Sequence, residues 1–134
     1  MSGKMDKTAC GDMFAERLPD GKRILFEHTE FYGELLLHII VGEMINYPLT
    51  KLLRENDDPQ QIKVYCDVIE DMWHFGDNAV INAMEVSVLE YLTDDPVLWQ
   101  RFGTYISKEF RWHINDESIP NNLHYLNAEK LKGK

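Results

Sequence analysis

The chain has 134 residues, a formal net charge of −9, 44% hydrophobic residues and 28% charged residues. This length predicts a single domain that can bury a core without disulfides or metals. Proteins that bind nucleic acid directly neutralise phosphates with lysine and arginine, and no basic stripe is present here, so direct nucleic-acid binding is not expected. The aromatic content of 11% argues against a disordered chain.

The cysteines and the apolar segments favour a cytoplasmic protein. Cys10 and Cys66 are too few for the disulfide framework of a secreted domain, so both are expected to be reduced thiols. The N-terminal residues contain no apolar signal-peptide core. The most apolar run, residues 35–41, is interrupted by His38 and is far shorter than the ~20 residues that span a bilayer. We therefore expect no membrane contact.

The N-terminal part of the chain predicts loosely organised structure before the first long helix. Residues 1–12 are small and polar, which predicts a flexible tail, and residues 13–18 predict a short helix stopped by Pro19. Thr29 is a plausible N-cap for the first clear helix, whose apolar residues recur at helical spacing up to Ile45. Pro48 predicts either an interruption of this helix or the first turn of a short following helix.

The rest of the chain carries repeated helix-start signals. Asp58 and Asp95 each precede a proline, and Asp77 follows Gly76, which ends one helix before the next begins. The helix that starts after Asp95 is expected to continue to about residue 115. Residues 120–122 predict a loop, and residues 128–134 predict a flexible basic tail after a helical domain at 13–127. Strand alternation and internal repeats are not evident, so the sequence predicts an all-α, single-domain irregular bundle of about five helices with short connections.

Negative charge is concentrated in one third of the chain. Residues 55–95 contain 11 acids and one base, Lys63, for a net charge of −10, while the remaining 12 acids and 13 bases give +1. One interpretation is that these acids cap helices or form a solvated face. The other is that they form a surface for a basic partner. On the second interpretation the candidate partner-binding residues are Asp67, Glu70, Asp71, His74, Asp77, Glu85 and Glu90.

Catalytic motifs provide little support for an enzyme. The sequence contains no nucleophile elbow, P-loop or paired-cysteine motif. Asp71 and His74 have the spacing of one half of a di-metal site in a helical bundle, but such a site needs two such steps and two further carboxylates. Cys66 has no neighbouring base and is expected to be a core thiol. We therefore expect no catalytic residues, no metal and no cofactor, with a metal-binding helical-bundle enzyme as an alternative.

Three segments resemble a known group of proteins: IKVYCDVIEDMW at 62–73, GDNAVINAMEVSVLEYLTDD at 76–95 and WQRFGTYISKEF at 99–110. Over residues 30–115 the chain resembles a family of small helical bacterial proteins of unassigned function, some of them encoded beside polymorphic toxins. The most telling stretch is residues 68–95, where an acidic helix end, a Gly-Asp turn and a Val-rich helix follow one another. The resemblance implies an all-helical fold and an immunity protein of a contact-dependent inhibition or related toxin system. It supplies no catalytic residues.

Charge and resemblance lead to the same expectation. A nuclease toxin must bind anionic nucleic acid and is therefore basic, so an acidic partner can block it by charge complementarity. We expect a non-enzymatic immunity protein that neutralises a cognate basic, nuclease-like toxin domain. A regulatory scaffold that forms homo-oligomers is a further alternative.

Overall fold

The computed structural model describes residues 4–115, which form an all-α domain as the sequence predicts. These residues contain seven helices rather than about five. Two of them each contain a central π-helical segment. The helices are α1 (Lys7–Arg17), α2 (Gly21–Tyr32), α3 (Leu37–Val41, π segment Gly42–Asn46, Tyr47–Glu55), α4 (Pro59–Phe75), α5 (Asn78–Met84, π segment Glu85–Leu89, Glu90–Thr93), α6 (Pro96–Gly103) and α7 (Lys108–Asn115).

Helix α1 begins within residues 1–12, which the sequence predicts as a tail. Asp6 caps α1, which begins six residues before the predicted boundary. The Met5 amide donates to the carbonyl of Phe75 at 2.8 Å, and the Met5 carbonyl accepts from the amide of Asp77 at 2.8 Å. These backbone bonds hold Met5 against the connection between α4 and α5. The predicted loop at 120–122 and tail at 128–134 lie outside the described residues.

The predicted helix start at Thr29 is wrong. Thr29 lies in the last turns of α2, where its hydroxyl donates to the carbonyls of Leu25 and Phe26 at 3.1 Å. A threonine inside a helix can satisfy its hydroxyl in this way, so its capping propensity is not decisive. Gly33 ends α2 with a φ of 77°, a left-handed conformation that glycine adopts without a steric penalty.

Of the two predictions for Pro48, an interruption that ends the helix is wrong, because α3 continues to Glu55. Pro48 lies in the first turn of the α-helical part Tyr47–Glu55, directly after the π segment. Proline lacks an amide hydrogen, and its ring collides with the carbonyl four residues earlier in a regular helix. In α3 the residues immediately before this region form the π segment, whose wider turn ends with the Tyr47 amide bonded to the Gly42 carbonyl. The irregular turn accommodates the proline within one continuous helix.

Helices α3 and α5 pack side by side and run in the same direction. Nε2 of His38 in α3 lies 3.4 Å from Nδ2 of Asn82 in α5, and Nδ1 of His38 lies 3.3 Å from Oγ of Ser87, also in α5. Further along both helices, directly after the π segment in α3 and two residues after it in α5, Tyr47 and Tyr91 line the same cleft. The π segments of the two helices therefore lie at the same level. The sequence gives no sign of this structural correspondence.

The core runs the length of the domain and includes the predicted central helix α5. Its largest fully buried side chains include Trp99, Phe14, Phe102 and Phe110. The helix predicted from Asp95 to about residue 115 is in fact two helices, because residues 104–107 form a turn before α7. Within the described residues, no helix is long and apolar enough to cross a membrane.

Candidate functional site: an acidic cleft beside helix α4

An open cleft of about 720 Å³ lies between α4, the end of α1 and the turn before α7. Three of the predicted partner-binding residues line it: Asp67, Glu70 and Asp71. Their spacing of three and four residues places them on one face of α4, as helical geometry requires. The other lining residues are Arg17, Lys63, Thr104, Tyr105, Ile106 and Ser107.

Glu70 fixes the far wall of the cleft. Its Oε2 accepts a hydrogen bond from the Ser107 amide and its Oε1 accepts from the Ser107 hydroxyl, both at 2.7 Å. The Ser107 hydroxyl oxygen in turn accepts from the Phe110 amide at 3.1 Å, which caps the first turn of α7. These bonds therefore favour a turn at residues 104–107 over a continuous helix, and they hold the start of α7 against α4.

Asp71 joins α4 to α1 across the cleft. Its Oδ2 lies 2.5 Å from Nη1 of Arg17, 54 positions earlier in the chain, and both side chains are partly exposed. A charge-assisted bond of this kind orients both groups, although exposed ion pairs add little net stability. Asp71 is thus already paired with the guanidinium of Arg17. In the part of the chain that the structure describes, no group of three His, Cys, Asp or Glu residues is arranged to hold a metal ion.

Asp67 forms the most exposed ion pair of the cleft. Its Oδ1 lies 2.7 Å from Nζ of Lys63 one helical turn earlier, with side-chain exposures of 47% and 53%. The hydrogen bond from Lys63 to Asp67 is the main reason that the pKa of Lys63 is raised. Because this pair is local and solvated, it can be exchanged for another partner at small cost.

A family model described as a domain of unknown function, DUF7674, matches residues 12–118. The chain belongs to this family. No curated protein and no solved structure matches it. The match agrees with the resemblance to a helical family of unassigned function.

The remaining predicted residues of this DUF7674 domain do not line the cleft. His74 is exposed and its ring lies edge-on to Phe75, with centroids 4.7 Å apart. Asp77 accepts from the Val80 amide at 3.0 Å and is the N-cap of α5. Glu85 and Glu90 are half-buried on α5, at the start of its π segment and directly after it. The seven predicted residues therefore do not form one surface.

The cations and the turn that complete the cleft of the DUF7674 domain were not predicted from the sequence. Arg17 comes from α1, a region predicted as a short helix with no assigned role. Tyr105 and Ser107 were expected to lie inside one long helix. A signal for the Lys63–Asp67 pair was present, because opposite charges four residues apart on a helix attract. No local pattern indicates Arg17 or Ser107, which meet α4 only in the folded chain.

Both cysteines of the DUF7674 domain are buried free thiols. Burial raises the pKa of Cys10 to about 12, with a smaller contribution from the negative charge of Asp77. Burial likewise raises the pKa of Cys66. A thiol is nucleophilic as the thiolate, so neither cysteine has the properties of a catalytic nucleophile. This agrees with the expectation that Cys66 is a core thiol.

Proposed function

We propose that this DUF7674 protein is an immunity protein: a non-enzymatic cytoplasmic protein that binds a basic, nuclease-like bacterial toxin domain through the acidic cleft. The single observation that carries the proposal is the placement of Asp67 and Asp71 on one face of α4, along an open cleft, where each is paired only with a partly exposed side chain. The toxin assignment also rests on the resemblance over residues 30–115 to proteins encoded beside polymorphic toxins.

The ion pairs of the cleft suit exchange with a partner. Asp67 and Asp71 are each held by one internal cation on a partly exposed side chain. Exposed pairs contribute about 0–1 kcal/mol, so an arginine or lysine of the partner can replace Lys63 or Arg17 at small cost. The existing pairs also orient both carboxylates before the partner binds, which lowers the cost of ordering them at the interface.

The wall of the cleft supports recognition as well. Glu70 holds the turn before α7, and that turn presents the half-buried ring of Tyr105 beside the carboxylates. A rigid tyrosine beside exchangeable charges is a common composition for an interface hot spot. The net charge of −10 in residues 55–95 favours rapid association with a basic surface.

The test is association with the C-terminal toxin domain encoded beside this protein's gene, measured by surface plasmon resonance at several salt concentrations. Asp67→Lys should lower the association rate constant by about tenfold at low salt, with a smaller effect at high salt. Asp67 is a better test position than Glu70 or Asp77, because those two residues hold backbone amides of the fold. Glu30→Lys is the matched control, since Glu30 is exposed on α2 and carries the same charge.

The fold must be unchanged for the comparison to be informative. Asp67→Lys replaces an exposed attraction to Lys63 by an exposed repulsion, which costs a few tenths of a kcal/mol up to about 1 kcal/mol. If wild type and Asp67→Lys associated at equal rates, or if Glu30→Lys slowed association as much as Asp67→Lys, the cleft would not be the binding site. A neighbouring gene that encodes no toxin domain, together with salt-dependent self-association in light scattering, would favour the homo-oligomeric scaffold instead.

A further inference from the structure

A second cleft, the bulge cleft, opens where the π segments of α3 and α5 lie side by side. It has a volume of about 270 Å³, and its lining includes His38, Glu43, Asn46, Tyr47, Ser87 and Tyr91. A π-helical turn is rare in proteins and is found frequently at functional sites. Here two such turns occur at the same level of two parallel helices, and residues from both helices line one cleft.

Asn46 gives the bulge cleft an unused hydrogen-bond acceptor. The residue is 7% exposed, and its Oδ1 is buried without a hydrogen-bond partner among the described residues. A buried carbonyl oxygen without a donor destabilises the fold, and a ligand N–H group that reached it from the cleft would remove that cost. Ser87, also buried, lies beside the His38 ring and closes the cleft on the side of α5.

Glu43 gives the bulge cleft a negative charge that the protein does not neutralise. Its Oε1 lies 3.1 Å from Nδ1 of the buried His28. The Leu36 amide donates to Nε2 of His28 at 3.0 Å, so Nε2 carries no hydrogen and Nδ1 is the nitrogen that donates to Glu43. In this tautomer, His28 offers Glu43 one N–H donor through Nδ1. Oε2 of Glu43 has no partner in the part of the chain that the structure describes.

Two tyrosines complete the bulge cleft. Tyr47 and Tyr91 are 72% and 60% exposed, one on each helix, although large aromatic side chains are usually more buried than this. A carboxylate, an unpaired amide oxygen and two aromatic faces together suit a planar cation. A guanidinium offers five donors in one plane and stacks on tyrosine, whereas an ammonium ion is a strongly hydrated point charge.

We propose that the bulge cleft binds the guanidinium group of an arginine side chain presented by the partner protein. The identity of the occupant rests on the proposed function, because a basic toxin domain supplies such side chains. The guanidinium would donate to Glu43 and would stack against Tyr47 or Tyr91, and a rotation of the Asn46 side chain would bring its enclosed Oδ1 within reach of a third N–H group.

The guanidinium site can be tested without the partner. We expect Nα-acetyl-arginine N-methylamide, titrated into the ¹⁵N-labelled full chain, to shift amide resonances of residues 42–47 and 87–91. The citrulline analogue is the matched control, since it has the same shape without the charge. Asn46→Leu and Glu43→Gln should each weaken the arginine probe at least tenfold, and Asp67→Lys should leave these shifts unchanged. Equal shifts from citrulline, or arginine shifts confined to residues 63–71, would overturn the proposal.

Binding to the toxin domain tests the occupant separately. Tyr47→Ala with Tyr91→Ala should raise the dissociation rate constant at least tenfold, and Phe26→Ala, which removes another exposed aromatic ring, should not. An unchanged dissociation rate would overturn the assignment of the bulge cleft to the partner. The proposed function would still stand in that case if Asp67→Lys slowed association. If Asp67→Lys had no effect while the arginine probe bound, the acidic cleft would be refuted and the bulge cleft would not.

Discussion

Glu70 is the residue whose replacement tests most directly how the acidic cleft is built. Its two carboxylate oxygens accept from the amide and the hydroxyl of Ser107, and Ser107 caps α7. Glu70→Ala removes both bonds and leaves the turn before α7 without its attachment to α4. Glu70→Gln keeps a neutral acceptor for the Ser107 amide, but it loses the charge and replaces the oxygen that accepts from the Ser107 hydroxyl by an NH₂ donor.

The expected loss of stability follows from the two hydrogen bonds. A bond to a charged acceptor contributes about 1.5–3 kcal/mol when buried, and solvent competition at this exposed edge lowers that to about 1 kcal/mol for each bond. Glu70→Ala should therefore lower the free energy of unfolding by about 2 kcal/mol, and Glu70→Gln by about 1 kcal/mol. For a chain of this size, the alanine variant should melt about 6–10 °C below the wild type.

Urea unfolding followed by circular dichroism measures the free energy, and hydrogen exchange locates the change. The amides of residues 107–114 should exchange faster in Glu70→Ala, whereas those of α5 should keep their relative protection. Glu30→Ala is the control, because this exposed carboxylate on α2 should change stability by less than about 0.5 kcal/mol. If Glu70→Ala matched this control in both measurements, the anchoring of α7 by Glu70 would be wrong.

Three further changes test other parts of the fold. Burial raises the pKa of Cys10 to about 12 and also raises that of Cys66, so native protein at pH 8 should show no rapid reaction with an aromatic disulfide reagent. Unfolding in urea should expose both thiols to the reagent. The free energy of unfolding should fall as pH rises above the ordinary thiol pKa of about 8.5, because the thiols of the unfolded chain ionise first. Gly76→Ala should lower the free energy of unfolding, measured in urea, by about 2–3 kcal/mol, since the new Cβ would lie 2.3 Å from a backbone oxygen. Gly42→Ala should raise it by about 0.5–1 kcal/mol, because a Cβ there meets nothing within 4 Å. The reverse order of stability would contradict the packing at these two glycines. His28→Ala should lower the free energy of unfolding by about 2–3 kcal/mol, because it removes a buried ring and leaves the half-buried Leu36 amide without its acceptor. An unchanged denaturation midpoint would refute this role of His28.

The helix starts were predictable wherever a local signal decides them. Asp58, Asp77 and Asp95 each cap a helix, with side-chain oxygens accepting from backbone amides in the first turn. The errors lie where the outcome depends on contacts distant in sequence. The break at residues 104–107 follows from Ser107 meeting Glu70, 37 positions away, and no local pattern contains that information.

The π segments were not predictable for a related reason. A π turn adds one residue to a helical turn and leaves the amphipathic pattern on both sides nearly intact, so the apolar period still indicates one helix. In α3 the period continued across Gly42–Asn46, and only Pro48 suggested an irregularity. The bulge cleft depends on two such turns packing together, which makes it a property of the tertiary structure alone.

The acidic stretch separates into two groups that need different experiments. Glu70 and Asp77 hold backbone amides, so a partner cannot draw on their charge without weakening the fold. Asp67 and Asp71 hold only exposed side chains, so their charge can be transferred to a partner's cations. The salt dependence of association should therefore come mainly from these two residues, whereas high salt should leave α7 anchored. A toxin complex whose salt dependence survived Asp67→Lys combined with Asp71→Asn would place the charged contact elsewhere on the molecule.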